Sequence, residues 1–131
     1  MYCADTWFLL SLFNADDGAI KILHEVKNEK ARLVISMIVY AETMKKLMRR
    51  GISEKIIEGF FSGLDNSKII FVQVDKKIAQ EAARVSHTFN TAMMDSIIAA
   101  TYTLTGCTML LTGDSDYGVL VSKKYLKIKS W

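Results

Sequence analysis

The sequence predicts an α/β fold built around a parallel sheet. Two observations carry that expectation. Short apolar runs, several of them β-branched, alternate along the chain with longer stretches of helical periodicity, the order produced by parallel strands joined through crossover helices. The 131 residues are 50% hydrophobic and 24% charged, a globular balance, and no linker, internal repeat or low-complexity segment interrupts them. The length is that of one domain, expected to span 1–131, which buries roughly two-thirds of its unfolded surface.

The elements follow in order. Residues 1–4 are a short apolar strand ending at Asp5, and 6–13 a helix with Trp7, Leu10 and Phe13 facing inward. The run Asn14-Ala-Asp-Asp-Gly18 is a break, after which Asp16 or Asp17 caps a helix to about Lys27 carrying Ile20, Leu23 and Val26. Residues 29–32 form a polar turn, and 33–36 a second strand. A long amphipathic helix covers 38–49 with a stripe of Ile38, Ala41, Met44, Leu47 and Met48; Lys45, Lys46, Arg49 and Arg50 gather near its end, where they suit the dipole, and Gly51 stops it. Ser53 opens a helix carrying Ile56, Ile57, Phe60 and Phe61. Residues 69–74 are the third strand, and Asp75 caps a helix with Ile78, Ala79, Ala82 and Val85. The most apolar helix spans 93–104, with Asp95 in its first turn and Gly106 beyond its end. Residues 108–112 are the fourth strand, 113–118 a loop, and 125–129 a final edge strand. The expected inventory is four strands, one further edge strand and about six helices.

Several function classes are excluded. Cys3 and Cys107 lie far apart in sequence and form neither a CxxC nor a zinc spacing, so a disulfide scaffold is not expected. The N-terminus lacks a basic segment and carries Asp5 within its apolar run, unlike a signal peptide. No apolar run approaches the roughly 18 residues of a membrane span. The expectation is a soluble, reducing, cytoplasmic setting. No nucleophile elbow, dinucleotide fingerprint or P-loop is present. His24 and His87 read as surface histidines, and the seven methionines as core filling.

The acids carry the chemistry. Of fourteen, five sit at or within a turn of a strand's carboxyl end: Asp5, Glu42, Asp95, Asp114 and Asp116. Ligands of open parallel sheets bind at that edge, near the switch point of strand order. Each acid also has a plainer role, as a helix cap for Asp5, a solvated flank for Glu42, a first-turn acid for Asp95 and turn residues for Asp114 and Asp116. Together they form a pattern, and no basic residue lies within two positions of Asp5, Asp95, Asp114 or Asp116. Carboxylates sharing a cleft repel one another unless a cation offsets them. An all-oxygen set without His or Cys favours a hard divalent ion, Mg²⁺ or Mn²⁺, and such ions activate water and clamp phosphate oxygens. The implied reaction is phosphodiester hydrolysis.

Four segments resemble the motifs of a PIN domain, most closely of the VapC type found as the toxin of toxin–antitoxin pairs. They are Ala4-Asp5-Thr6, Ile35-Ser36 with Ala41-Glu42, Met94-Asp95-Ser-Ile-Ile-Ala-Ala100, and Leu111-Thr112-Gly-Asp-Ser-Asp-Tyr117. No single motif is specific; the ordered set of four, spread over the whole chain, is. The resemblance implies a three-layer α/β/α sandwich with a central parallel sheet of four to five strands. It implies a Mg²⁺- or Mn²⁺-dependent endoribonuclease in which Asp5 and Asp95 are the main metal ligands, Glu42 with Asp114 and/or Asp116 completes the pocket, and the Thr6 and Ser36 hydroxyls support it. A VapB-type antitoxin partner and a homodimer are implied as well. Trp7 departs from the small polar residue common in the family and narrows the pocket mouth; Tyr117 replaces a common phenylalanine. Trp7, Phe8, Phe60 and Phe61 are read either as interface residues or as core. The alternatives are a PIN-like module that holds RNA or protein without cutting and, more remotely, a receiver-type phosphoacceptor domain; the latter lacks the acidic neighbour to Asp5 and the late lysine it needs.

The net charge of +3 looks mild for a polyanion partner. Assigning five acids to one cleft leaves nine against seventeen Lys and Arg elsewhere, a far more basic body. The basic run near residues 45–50 reads as a solvated helix end that can also meet RNA phosphates.

Overall fold

A computed structural model describes residues 1–28 and 30–131; Glu29, expected in the polar turn, lies outside the described residues. The chain runs β1 (Tyr2–Ala4), α1 (Thr6–Phe13), α2 (Asp17–Lys27), β2 (Leu33–Ser36), α3 (Met37–Arg49), α4 (Glu54–Gly63), β3 (Ile69–Val72), α5 (Lys76–Phe89), α6 (Met93–Leu104), β4 (Met109–Leu111), a 3₁₀ turn (Ser115–Tyr117), α7 (Gly118–Ser122) and β5 (Ile128–Lys129). All four strand pairings are parallel, in the order β3-β2-β1-β4-β5. Every residue of β2 is buried, as a strand must be when helices cover both faces of its sheet. The fold is the expected α/β sandwich with five strands.

Strand order decides where a ligand sits. From β1 the chain builds outward through β2 to β3, then returns to place β4 on the other side of β1. The switch point is therefore the gap between β1 and β4, where Ala4 pairs with Leu111 and Asp5 N–H donates to the Leu111 carbonyl at 3.3 Å. Asp5 and Thr112 leave the sheet side by side at that crevice.

Register explains the strand lengths. Residues 69–74 read as one strand, but pairing stops at Val72, opposite Ser36, because β2 turns into α3 there. β4 pairs only with Tyr2–Ala4 on one side, and β5 shrinks to the two residues that meet Leu110 and Leu111. Within the expected loop at 113–118 lies the 3₁₀ turn, and α7 follows it.

Several inward faces differ from expectation. In α1 the buried side chains are Thr6, Phe8, Leu9 and Leu12, whereas Trp7 is 52% exposed and Leu10 and Phe13 are half-buried. That helix is apolar nearly all round, so periodicity selects no face; its cap on β1 does. In α2 the buried residues are Ala19, Ile22 and Val26, with Ile20 and Leu23 half-buried. In α3 they are Val39, Thr43 and Leu47; Ala41 and Met48 are exposed, and Ile38 and Met44 are half-buried. A buried threonine in the stripe disguised its phase. Ile56 of α4 and Ala79 of α5 are also exposed. Phe8 and Phe61 belong to the core and cannot serve an interface, Phe60 is half-buried, and Trp7 alone of that set is open. Cys3 and Cys107 are buried free thiols. Among the described residues no helix is long and apolar enough to cross a membrane.

Candidate active site

Asp5 follows β1 directly and is 3% exposed. It is the N-cap of α1, its Oδ1 accepting the Phe8 N–H at 3.2 Å. Burial pushes its carboxyl up to about 7. Hydrogen bonds from the Thr112 hydroxyl and the Phe8 and Trp7 amides oppose that rise, and the Asp114 charge adds to it. Capping and a role in the site thus coexist in one side chain.

Asp95 reaches the same edge from α6. The corner before it is held tightly. Asn90 ends α5 in the left-handed conformation (φ 54°), and Ser86 Oγ donates to the Thr91 carbonyl at 2.8 Å. The buried Ser96 donates its hydroxyl to the Ala92 carbonyl (2.8 Å) and accepts that of Thr91 (2.6 Å). Asp95 itself is half-buried, and burial raises its carboxyl above the ordinary range, followed by the charges of Asp114 and Asp116. A hydrogen bond from the Tyr117 hydroxyl works the other way, and Glu42 adds a further rise.

The acids after β4 separate in depth. Asp114 is half-buried and Asp116 exposed. Asp114 acts on both Asp5 and Asp95, whereas Asp116 acts on Asp95 and marks the rim. Asp114 Oδ1 also accepts the Asp116 N–H at 2.9 Å, which caps the 3₁₀ turn. Glu42, half-buried on α3, has Lys46 one turn away at 4.0 Å. Among the described residues that is the only ion pair touching any of the five acids.

The supporting hydroxyls differ. Ser36 caps α3, its Oγ accepting the Ile38 N–H at 3.3 Å. Thr6 is 4% exposed, and its Oγ1 has no partner.

Two residues of the site are absent from the sequence-derived candidates. Thr112 is buried; its Oγ1 accepts the Asp114 N–H at 2.9 Å, and its side chain lowers the proton affinity of Asp5. Tyr117 is 1% exposed, and burial, with the charges of Asp5 and Asp95, holds its phenol well above the ordinary range. It stays protonated and can only donate to those acids. An aromatic in an irregular turn gives no sequence sign that it is buried beside two acids.

The donor set fits a hard divalent cation. Four of the five acids have no Lys or Arg partner among the described residues, and two of them, Asp5 and Asp95, hold protons more tightly than free carboxylates. Among the described residues no three His, Cys, Asp or Glu side chains stand close enough together to hold a metal ion as a group.

The sequence model of the PIN domain matches residues 2–121. No curated protein matches the chain in sequence. Several solved structures match in fold. One is VapBC2 from Rickettsia felis bound to a DNA fragment from its promoter (TM-score 0.76, 16% identity, 99% of this chain and 98% of that one). A second is VapC20 from Mycobacterium tuberculosis, described as a Sarcin-Ricin loop cleaving toxin (0.73, 18%, 90% and 93%). A third is a toxin–antitoxin complex from Klebsiella pneumoniae (0.70, 22%, 89% and 90%).

Proposed function

The chain belongs to the PIN domain family, and from that premise we propose that it is a divalent-metal-dependent endoribonuclease, the toxin of a VapBC-type toxin–antitoxin pair. The observation that carries this reading is the set of acids around the β1–β4 switch point, in which Asp5 and Asp95 feel the charges of their acidic neighbours and, among the described residues, only Glu42 has a basic partner. The VapC and VapBC structures that share the fold support it.

Asp5, Asp95 and Asp114 are the residues we assign to hold Mg²⁺ or Mn²⁺, with Glu42 and Asp116 joining directly or through water. When bound, such an ion offsets the carboxylate charges, polarises water and orients a phosphate oxygen. The chain's own residues do the rest. Thr112 fixes the Asp114 backbone and favours the ionised form of Asp5; Tyr117 favours the ionised form of Asp95; Ser36 caps the start of α3 and Asp5 that of α1. RNA is the proposed substrate, a VapB-type antitoxin and a second copy the proposed partners, and the cytoplasm the proposed setting, with 1–131 acting as one domain. The shallow surface formed by Ala41, Met44, Lys45, Met48 and Arg49 on α3 supports the need for a covering partner.

Purified protein is expected to cleave single-stranded RNA with Mg²⁺ or Mn²⁺, to stop in EDTA, and to lose cleavage in Asp95→Asn. Divalent binding without cleavage would favour the non-catalytic PIN-like module instead.

A further inference from the structure

The basic run of α3 divides in two. Lys45 and Arg49 flank Met44 and Met48, whereas Lys46 and Arg50 lie one turn apart on the stripe that begins with Glu42. Facing them across a cavity of about 270 Å³ is a stripe of α1: Trp7, Leu10, Ser11 and Asn14. Both helices start at the carboxyl edge of the sheet, so the cleft between them opens beside the acids and runs away from them. Its upper end is anchored at both walls. Lys46 Nζ lies 4.0 Å from Glu42 Oε1. The Trp7 indole lies against Gly113, next to Asp114: a Cβ built on Gly113 would stand 3.3 Å from Trp7 Cε3. At the lower end Arg50 Nη1 donates to Asn14 Oδ1 at 3.4 Å.

An indole left 52% exposed on a helix whose other large side chains are wholly or half buried gives up apolar burial. Beside two cations it forms the pairing that binds single-stranded nucleic acid: a flat π-face for a base and positive charges for the adjoining phosphates. Gly113 has no side chain to displace the ring, and the short chain of contacts from Gly113 to Asp114 ties the position of the ring to that of the acids.

We propose that the α1–α3 cleft is a nucleotide subsite of the same active site, in which an unpaired RNA base stacks on Trp7 and its flanking phosphates meet Lys46 and Arg50. The proposal rests on the nuclease reading for its biological meaning, but its test does not. Binding of a labelled single-stranded oligoribonucleotide to the full chain is measured by fluorescence anisotropy in EDTA, where no turnover occurs. Trp7→Leu, which keeps an apolar cover but no π-face, is expected to weaken binding roughly tenfold, and Trp7→Phe to retain most of it. An abasic oligomer of equal length is expected to bind wild type and Trp7→Leu alike. Lys46→Ala and Arg50→Ala are each expected to flatten the salt dependence by a slope of about 0.7–1. The subsite is overturned if wild type fails to bind the oligomer, if Trp7→Leu binds as tightly as wild type, or if the abasic oligomer loses affinity equally. If Trp7-dependent binding is found but metal-loaded protein cuts no RNA, the subsite stands and the nuclease reading falls; if RNA is cut and Trp7→Leu changes nothing, the reverse holds.

Discussion

Thr112 Oγ1 accepts the Asp114 backbone N–H at 2.9 Å, and the same side chain favours the ionised form of Asp5. One buried side chain therefore couples the acid after β1 to the acid after β4. Thr112→Val, nearly the same shape, strands the Asp114 N–H and removes a donor from Asp5, and should cost about 1–3 kcal/mol in urea denaturation. Thr112→Ser should stay close to wild type. Equal stability of the valine and serine variants would show that this bridge contributes little.

Asp5 gives stability a specific pH dependence. Its folded pKa, about 7, lies above the ordinary 3.8, so the native state binds its proton more tightly than the unfolded chain. Stability from this group is fully present below the unfolded value and is lost as pH rises through the folded one, an effect of up to about 4 kcal/mol. Asp95, also raised, acts in the same direction. Thermal denaturation in EDTA should thus show a less stable protein at about pH 8 than at about pH 5. Asp5→Asn should remove much of the slope, and Mn²⁺ should stabilise the wild type more at the higher pH. A flat profile in EDTA would contradict the assigned burial and repulsion.

Tyr117→Phe deletes a hydroxyl that favours the ionised form of Asp95 and leaves the packing of the ring in place. Proton affinity at Asp95 should rise, so Mn²⁺ affinity should drop, and by more near pH 6 than near pH 8. Calorimetric titration at the two pH values measures this; an equal loss at both would point to a purely structural role for the phenol.

Ser36 and Thr6 should part company. Ser36→Ala removes a cap bond to Ile38 and should cost about 1 kcal/mol. Thr6 Oγ1 bonds to nothing, so Thr6→Val should leave the metal-free protein as stable or more so. If the Thr6 hydroxyl supports the loaded site, the same variant lowers RNA cleavage. Unfolding midpoints and initial rates on one set of preparations separate these effects.

The ends of α1, β2 and α6 were legible to the residue because local chemistry marks them: Asp5 as a cap, Ser36 as strand end and cap at once, Gly106 with its positive φ of 75° beyond α6. The acids were legible because strand ends are, and a parallel sheet gathers its ends on one edge. Helix faces were less so. Trp7 and Phe8 are equally apolar neighbours, and only the cap angle set by Asp5 sends one outward and the other into the core. Asp114 and Asp116 stand two residues apart in an irregular turn, where no period says which points inward. The roles of Thr112 and Tyr117 depend on the β1–β4 pairing, a contact between residues more than a hundred positions apart.

In the proposed function Asp5, Asp95 and Asp114 share a divalent cation. Anomalous diffraction from crystals soaked in Mn²⁺ tests it most directly. A peak is expected within ligating distance of carboxylate oxygens from at least two of these residues, absent from crystals of Asp5→Asn. A wild-type crystal with no peak at the β1–β4 crevice, or one whose ion sits elsewhere, would contradict it.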